Sequence, residues 1–214
     1  MSLLKDDDRN YLIEEFSKMV NDVEIIHFTS SDCNYCEDTL KILNEISGLT
    51  DKIHLKVFDA EKDEEITKKF DIENMLPATI LVHDNNPNLR FYGIPSGYEF
   101  GSLIEMILEI GKGKPSLKEE TIKRLKEIDK PVNIKVFVTT TCPYCPSAVI
   151  TAQKFGLVNS NIHSYMIEAT EFPELSRKYD VYSVPKVVIN DKVEFEGAAS
   201  EEQFLDFIFE AINE

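Results

Sequence analysis

The 214-residue chain has no surplus of positive charge. Its 23 lysines and arginines are set against 39 aspartates and glutamates, a formal net charge of −16. A protein that grips phosphate backbones needs a basic surface, so no nucleic-acid partner is expected. Long apolar runs are missing too. No window approaches the length of a membrane span. The N-terminal MSLLKDDDRN has no apolar core of signal-peptide length before three consecutive aspartates. These absences point to a cytoplasmic location and no membrane partner. There is no glycine-rich nucleotide loop, so neither a flavin nor a nicotinamide cofactor is expected to reside here. His54, His83 and His163 are scattered and share no ligand spacing. Hydrophobic residues, by contrast, make up 43% of the chain, with 13 Phe and 8 Tyr, enough for one large globular domain or two small ones.

Cysteine is scarce, and its placement is the main signal. The only four lie in two C-x-x-C pairs, Cys33 and Cys36 in SDCNYCEDTL, and Cys142 and Cys145 in TTTCPYCPSA. Such a pair can be half a zinc site, a structural staple or a redox dithiol. In a cytosolic protein disulfides are usually transient or catalytic, which favours chemistry over stapling. A four-thiolate zinc site usually separates its two pairs by about 15 to 20 residues, whereas 105 residues lie between Cys36 and Cys142. No metal is therefore expected.

The chain is written twice. Cys33 and Cys142 are 109 positions apart, and at that offset ITKKFDI (66–72) lies over LSRKYDV (175–181) and Asp59 over Glu168. Pro77 and Pro185 align at an offset of 108, and Gly93 and Gly197 at 104. The slips belong in loops, the last in the hairpin-like turns HDNNPNLR and INDKVEF. Each half reads as helix, buried strand, C-x-x-C, helix, strand, acidic-capped helix, hairpin and final helix. The fold class is α/β, each half a mixed sheet flanked by helices. Gly111, Gly113 and Pro115 in GKGKPSLKEE break both helix and strand. We place the boundary there, giving domains 1–114 and 115–214. So short a linker implies halves that pack together, with sheet edges available for pairing.

A strand that runs through C-x-x-C into a helix brings the first cysteine to the helix N-terminus, where free N–H groups and the helix dipole favour thiolate over thiol. Its pKa falls from about 8.5 into a range of roughly 3.5 to 7.5. The second cysteine lies one turn deeper. Cys33 and Cys142 are therefore the expected nucleophiles, and Cys36 and Cys145 the resolving thiols.

These features together resemble the thioredoxin fold: strand, C-x-x-C, helix, then an isolated proline before a strand, 44 residues after Cys33 and 43 after Cys142. CPYC carries the dipeptide typical of glutaredoxins. Two such halves in one chain resemble the glutaredoxin-like protein disulfide oxidoreductases of thermophilic archaea and bacteria. The resemblance implies that Pro77 and Pro185 are cis and face the dithiols. It also implies that the backbones of Leu76 and Val184 bind an extended substrate chain by strand addition. Disulfide-containing proteins would be the substrates and a thioredoxin-reductase-like protein the electron donor. Without the repeat, the two prolines would read simply as the starts of edge strands. A non-enzymatic binding or chaperone-like module is the alternative, and intact cysteines in both halves count against it.

The sequence also departs from the family pattern. Where thioredoxins carry a buried Asp, six positions before the first cysteine, stand His27 and Val136. This leaves the proton acceptor unassigned, with His27 more simply an ordinary strand residue. Gly197, Ala198, Ala199 and Ser200 match a glutathione-binding turn poorly. Asp32, Glu37 and Asp38 flank the first dithiol, whereas 139–141 before Cys142 are uncharged threonines. Carboxylates oppose a thiolate. Cys142 is therefore expected to titrate at lower pH than Cys33, and to react faster with iodoacetamide near neutrality. Alkylation rates against pH, on variants retaining one pair each, measure this directly; an equal or faster Cys33 would contradict it.

Overall fold

The computed structural model describes residues 4–72 and 75–213. The first half runs α1 (Asp6–Ser17), β1 (Val23–Thr29), α2 (Cys36–Ser47), β2 (Ile53–Asp59), α3 (Glu64–Lys69), β3 (Ala78–His83), β4 (Asn86–Tyr92) and α4 (Tyr98–Lys112). The second repeats the order with α5 (Glu119–Leu125), β5 (Val132–Val138), α6 (Cys145–Val158), β6 (Ile162–Glu168), α7 (Pro173–Lys178), β7 (Lys186–Ile189), β8 (Val193–Glu196) and α8 (Glu201–Asn213). Among the described residues no helix is long and apolar enough to cross a membrane.

The apolar runs become strands covered on both faces. Alternation along β1 sends Ile25 into the cluster beneath α1, α2, α4, α5, α6 and α8, and Ile26 and Phe28 into the smaller cluster beneath α3 and α7. The echoes in sequence recur as local geometry. Asp71 and Asp180, each closing a short helix, both have positive φ, as do the turn pairs Asp84–Asn85 and Asn190–Asp191 of the two hairpins. Asn and Asp tolerate this region, and two such residues in a row suit the tight hairpin turn. Of the three phenylalanines of the last helix, only Phe204 is fully buried; Phe209 lies under the Arg124 guanidinium.

The edges of the two sheets do pair. A single eight-stranded sheet runs β2-β1-β3-β4-β6-β5-β7-β8, and the seam is the parallel pairing of Leu89–Tyr92 in β4 with Ser164–Ile167 in β6. Buried Asn88 fastens it, donating from Nδ2 to the carbonyls of Gly156 (2.8 Å) and Ile162 (2.7 Å). Gly156 leaves room for this, since a Cβ there would sit 2.6 Å from Leu89 Cδ2 and 3.1 Å from Asn88 Nδ2. Lys154 of α6 reaches Glu105 and Glu109 of α4, and Glu109 holds the hydroxyl and N–H of Ser116 in the linker. Asn88→Ala strands two buried carbonyls, and is expected to cost about 2 to 4 kcal/mol, read as a lower urea midpoint.

Candidate active site

β1 and β5 run in the same direction across the sheet, because the β4–β6 and β5–β6 pairings are parallel and the antiparallel steps β1–β3–β4 cancel. Both C-x-x-C pairs therefore open on one edge of the sheet. They are four strand spacings apart, roughly 19 Å at about 4.8 Å per strand. Each pair is closed as a disulfide, Cys33–Cys36 and Cys142–Cys145.

The helices α2 and α6 begin at the second cysteine of each pair. The first cysteine lies in the turn before it, a few residues later than a strand running straight into C-x-x-C would place it. At the second site the N–H of Cys145 points at Cys142 Sγ from 3.1 Å. Once the pair is reduced, that N–H and the helix start favour a Cys142 thiolate. Pro146 sits in the first turn of α6, where a missing N–H is tolerated. Cys33 is half-buried and Cys36 is 1% exposed; Cys142 is more enclosed than expected at 7%, over a fully buried Cys145.

Leu76–Pro77 and Val184–Pro185 are both cis. The Val184 carbonyl oxygen is 3.7 Å from Cys142 Sγ, and Leu76 lines the same cleft as Cys33. Among the described residues the N–H groups of Leu76 and Val184 have no backbone partner. The carbonyls of Pro77 and Pro185 receive the N–H groups of Gly93 (2.9 Å) and Gly197 (2.8 Å), which ties each proline to the hairpin strand beside it.

His27 is fully buried beside Thr79, its Nδ1 3.1 Å from the hydroxyl oxygen. Burial pushes its pKa down to about 4, opposed by a backbone hydrogen bond at Ala78. A neutral imidazole that weakly basic is an ordinary strand residue rather than an effective proton acceptor. Sequence reasoning missed the acid on the side of the second site. The N-terminus of α4 docks on the 139–141 turn, Tyr98 donating its N–H to the Thr140 carbonyl at 3.0 Å. Gly97, with φ +59°, permits the approach, since a Cβ there would lie 2.2 Å from that oxygen. α4 then packs beside α6, so buried Glu99 lies at the end of the pair where α6 begins with Cys145. Burial pushes Glu99 up to about 7, with Ser102 opposing, although neither carboxylate oxygen has a partner at ordinary hydrogen-bond distance among the described residues. The signal was present: Glu99 falls on the apolar stripe of α4 with Leu103, Met106 and Ile110. Among the described residues no group of three or more His, Cys, Asp or Glu is placed to hold a metal.

Comparison with known proteins agrees with this geometry. A thioredoxin-domain family model matches residues 132–210. The crystal structure of a protein disulfide oxidoreductase from Aeropyrum pernix is 33% identical with a TM-score of 0.88, covering 95% of this chain and 91% of that one. The alkylhydroperoxide reductase AhpF of Enterococcus faecalis is 25% identical with a TM-score of 0.88, covering 96% of this chain and 99% of that one. Among curated sequences, the alkyl hydroperoxide reductase F subunit of Pseudomonas aeruginosa is 29% identical over 81% of this chain and 31% of that protein. The chain thus spans about a third of the length of that curated relative.

The raised Glu99 pKa has a consequence for stability. The folded protein keeps this proton between pH 4.5, the ordinary value, and about 7, while the unfolded chain releases it. Stability from this group is therefore highest below pH 4.5 and declines until pH 7, by up to about 3 kcal/mol. Urea unfolding at pH 4.5 and 7.5 is expected to show a smaller decline in Glu99→Gln than in the parent.

Proposed function

The chain belongs to the protein disulfide oxidoreductase family of thioredoxin-fold proteins, and from that premise we propose that it exchanges electrons with disulfides in protein substrates at two sites, Cys33/Cys36 and Cys142/Cys145. Its working units are residues 1–114 and 115–214, and its place is the cytoplasm. The observation that carries this reading is the pairing of each C-x-x-C as a disulfide at a helix start, its second sulfur buried.

In the reducing direction the Cys142 thiolate attacks a substrate disulfide. A mixed disulfide forms and one substrate thiolate leaves. Cys145 then attacks Cys142 Sγ, the second substrate sulfur leaves as thiolate, and two electrons have passed to the substrate. Cys33 and Cys36 act in the same way. Run backwards, the steps oxidise a substrate dithiol, and in sequence they reshuffle disulfides. Glu99 serves as the acceptor for the Cys145 proton. A substrate chain lies along Leu76–Pro77 or Val184–Pro185 and bonds to the unpaired amides. Exposed aromatic rings support a protein rather than a small thiol as substrate: Tyr144 is 71% and Tyr182 90% exposed beside the second site. The dithiols are recharged by a thioredoxin-reductase-like donor, in keeping with the likeness to part of a hydroperoxide reductase.

Insulin reduction by dithiothreitol tests the reading. The parent is expected to accelerate insulin precipitation, and the variant with all four cysteines replaced by serine to lose the effect. Acceleration that survives in that variant would mean a binding module without redox function.

A further inference from the structure

The two dithiols face different surroundings. A cleft of about 720 Å³ opens at Cys33. Its near wall comes from the first half, but its far wall is residues 170–173 of the second, delivered there by the β4–β6 seam. This wall is firmly held. Glu168 Oε2 accepts from the Thr170 N–H and hydroxyl and from the Glu171 N–H at 2.6–2.8 Å. Glu171 Oε1 in turn accepts the N–H of Ile94 at 2.7 Å. Gly93 allows the closeness, since a Cβ there would lie 2.6 Å from Glu168 Cβ.

Two carboxylates, Asp32 and Glu61, line the cleft together with Glu171. Burial raises the Glu171 carboxyl to about 7, so that it adds full negative charge only above neutrality. Among the described lining residues there is no Lys, Arg or His. The internal repeat supplies the control. At the 109-residue offset, Asp32 and Glu61 correspond to Thr141 and Thr170, so the positions that are acidic around Cys33 are neutral in the second copy. A carboxylate-lined cleft with a reactive sulfur at its floor attracts cations and repels anions. The carboxylates that disfavour a bare Cys33 thiolate are offset when a cation arrives with the substrate.

We propose that the Cys33 cleft selects disulfides flanked by lysine or arginine, while the Cys142 site discriminates by charge only weakly, so that one chain sorts protein disulfides between two dithiols. This rests on the oxidoreductase reading above. Substrate chemistry is unchanged: two electrons pass from the Cys33/Cys36 dithiol to the bound disulfide, whose sulfurs leave as thiols. Glu171 acts as a specificity residue supplied by the second half to the first site.

The test uses two full-length forms, Cys142→Ser/Cys145→Ser and Cys33→Ser/Cys36→Ser, each pre-reduced. Each is given two disulfide peptides that differ only in Lys-Lys or Glu-Glu beside the cystine. The form retaining Cys33 is expected to reduce the Lys peptide on the order of tenfold faster than the Glu peptide at low salt, with the preference shrinking at high salt. The form retaining Cys142 feels the same overall negative charge, and is expected to discriminate severalfold less. Adding Asp32→Asn, Glu61→Gln and Glu171→Gln to the Cys33 form is expected to bring its ratio down to that of the Cys142 form; the amide oxygen introduced by Glu171→Gln can still accept from the Ile94 N–H. Equal ratios at the two sites, or a preference that survives the triple substitution, would overturn the proposal alone. Failure of both forms to reduce either peptide would overturn the oxidoreductase reading with it.

Discussion

The parallel pairing of β4 with β6 is the constraint on which the rest of the molecule depends. Four residues on each side join two four-stranded sheets into one, remove two exposed edges, and fix the direction of β5 relative to β1. Because strand direction carries through the seam, both dithiols emerge on the same side. The seam also explains why buried polar groups gather there. Asn88 bridges to Gly156 and Ile162, and Glu109 ties the linker to α4. Burial opposes the charge on Glu109, but the Ser116 hydroxyl and N–H, together with Lys154 and Lys112, more than offset it and hold its carboxyl below the ordinary range.

The same junction lets each half furnish a group to the other's site. Glu99 enters on the side of the second dithiol because the start of α4 rests on the Thr140 carbonyl, and Glu171 enters the first because residues 170–173 follow β6. Burial raises both carboxyls to about 7; at Glu171 the neighbouring Glu168 adds to the effect while the Ile94 N–H opposes it. Carboxyls tuned this close to neutrality can hold or release a proton under working conditions, which thiol–disulfide exchange requires at each turn. Neither half contains a carboxylate at the position where thioredoxins carry their buried Asp. On the side of the second site the buried acid, Glu99, belongs instead to the first half, across the seam.

The two sites are thus related by the repeat without being equivalent. An N–H aimed at Cys142 and uncharged neighbours suit a nucleophile that is acidic in itself. The carboxylates around Cys33 make its reactivity depend on what enters the cleft. Duplication supplies two copies of one device, and the differences at positions 32 and 61, against 141 and 170, alter the electrostatics without disturbing the backbone that positions the sulfurs.

Much of this was legible in the residues themselves. The C-x-x-C spacing, the isolated prolines and the 109-residue echo are local patterns, and local patterns dictate strand, turn and helix wherever buried apolar runs and special φ values leave one solution. Among the described residues the eight-strand, eight-helix order followed from them, as did the two hairpin turns within HDNNPNLR and INDKVEF. Glu99 was half legible, as a charge on an apolar helical stripe. Glu171 was not legible at all, because its meaning depends on which edge strand of one half meets which strand of the other. Sequence alone determined two dithiols, each poised at the start of a helix. Tertiary structure alone decided that they share one edge, that Glu171 of the second half lines the Cys33 cleft and that Glu99 of the first half lies on the side of Cys145, because strand pairing between halves is a long-range contact that no short window encodes.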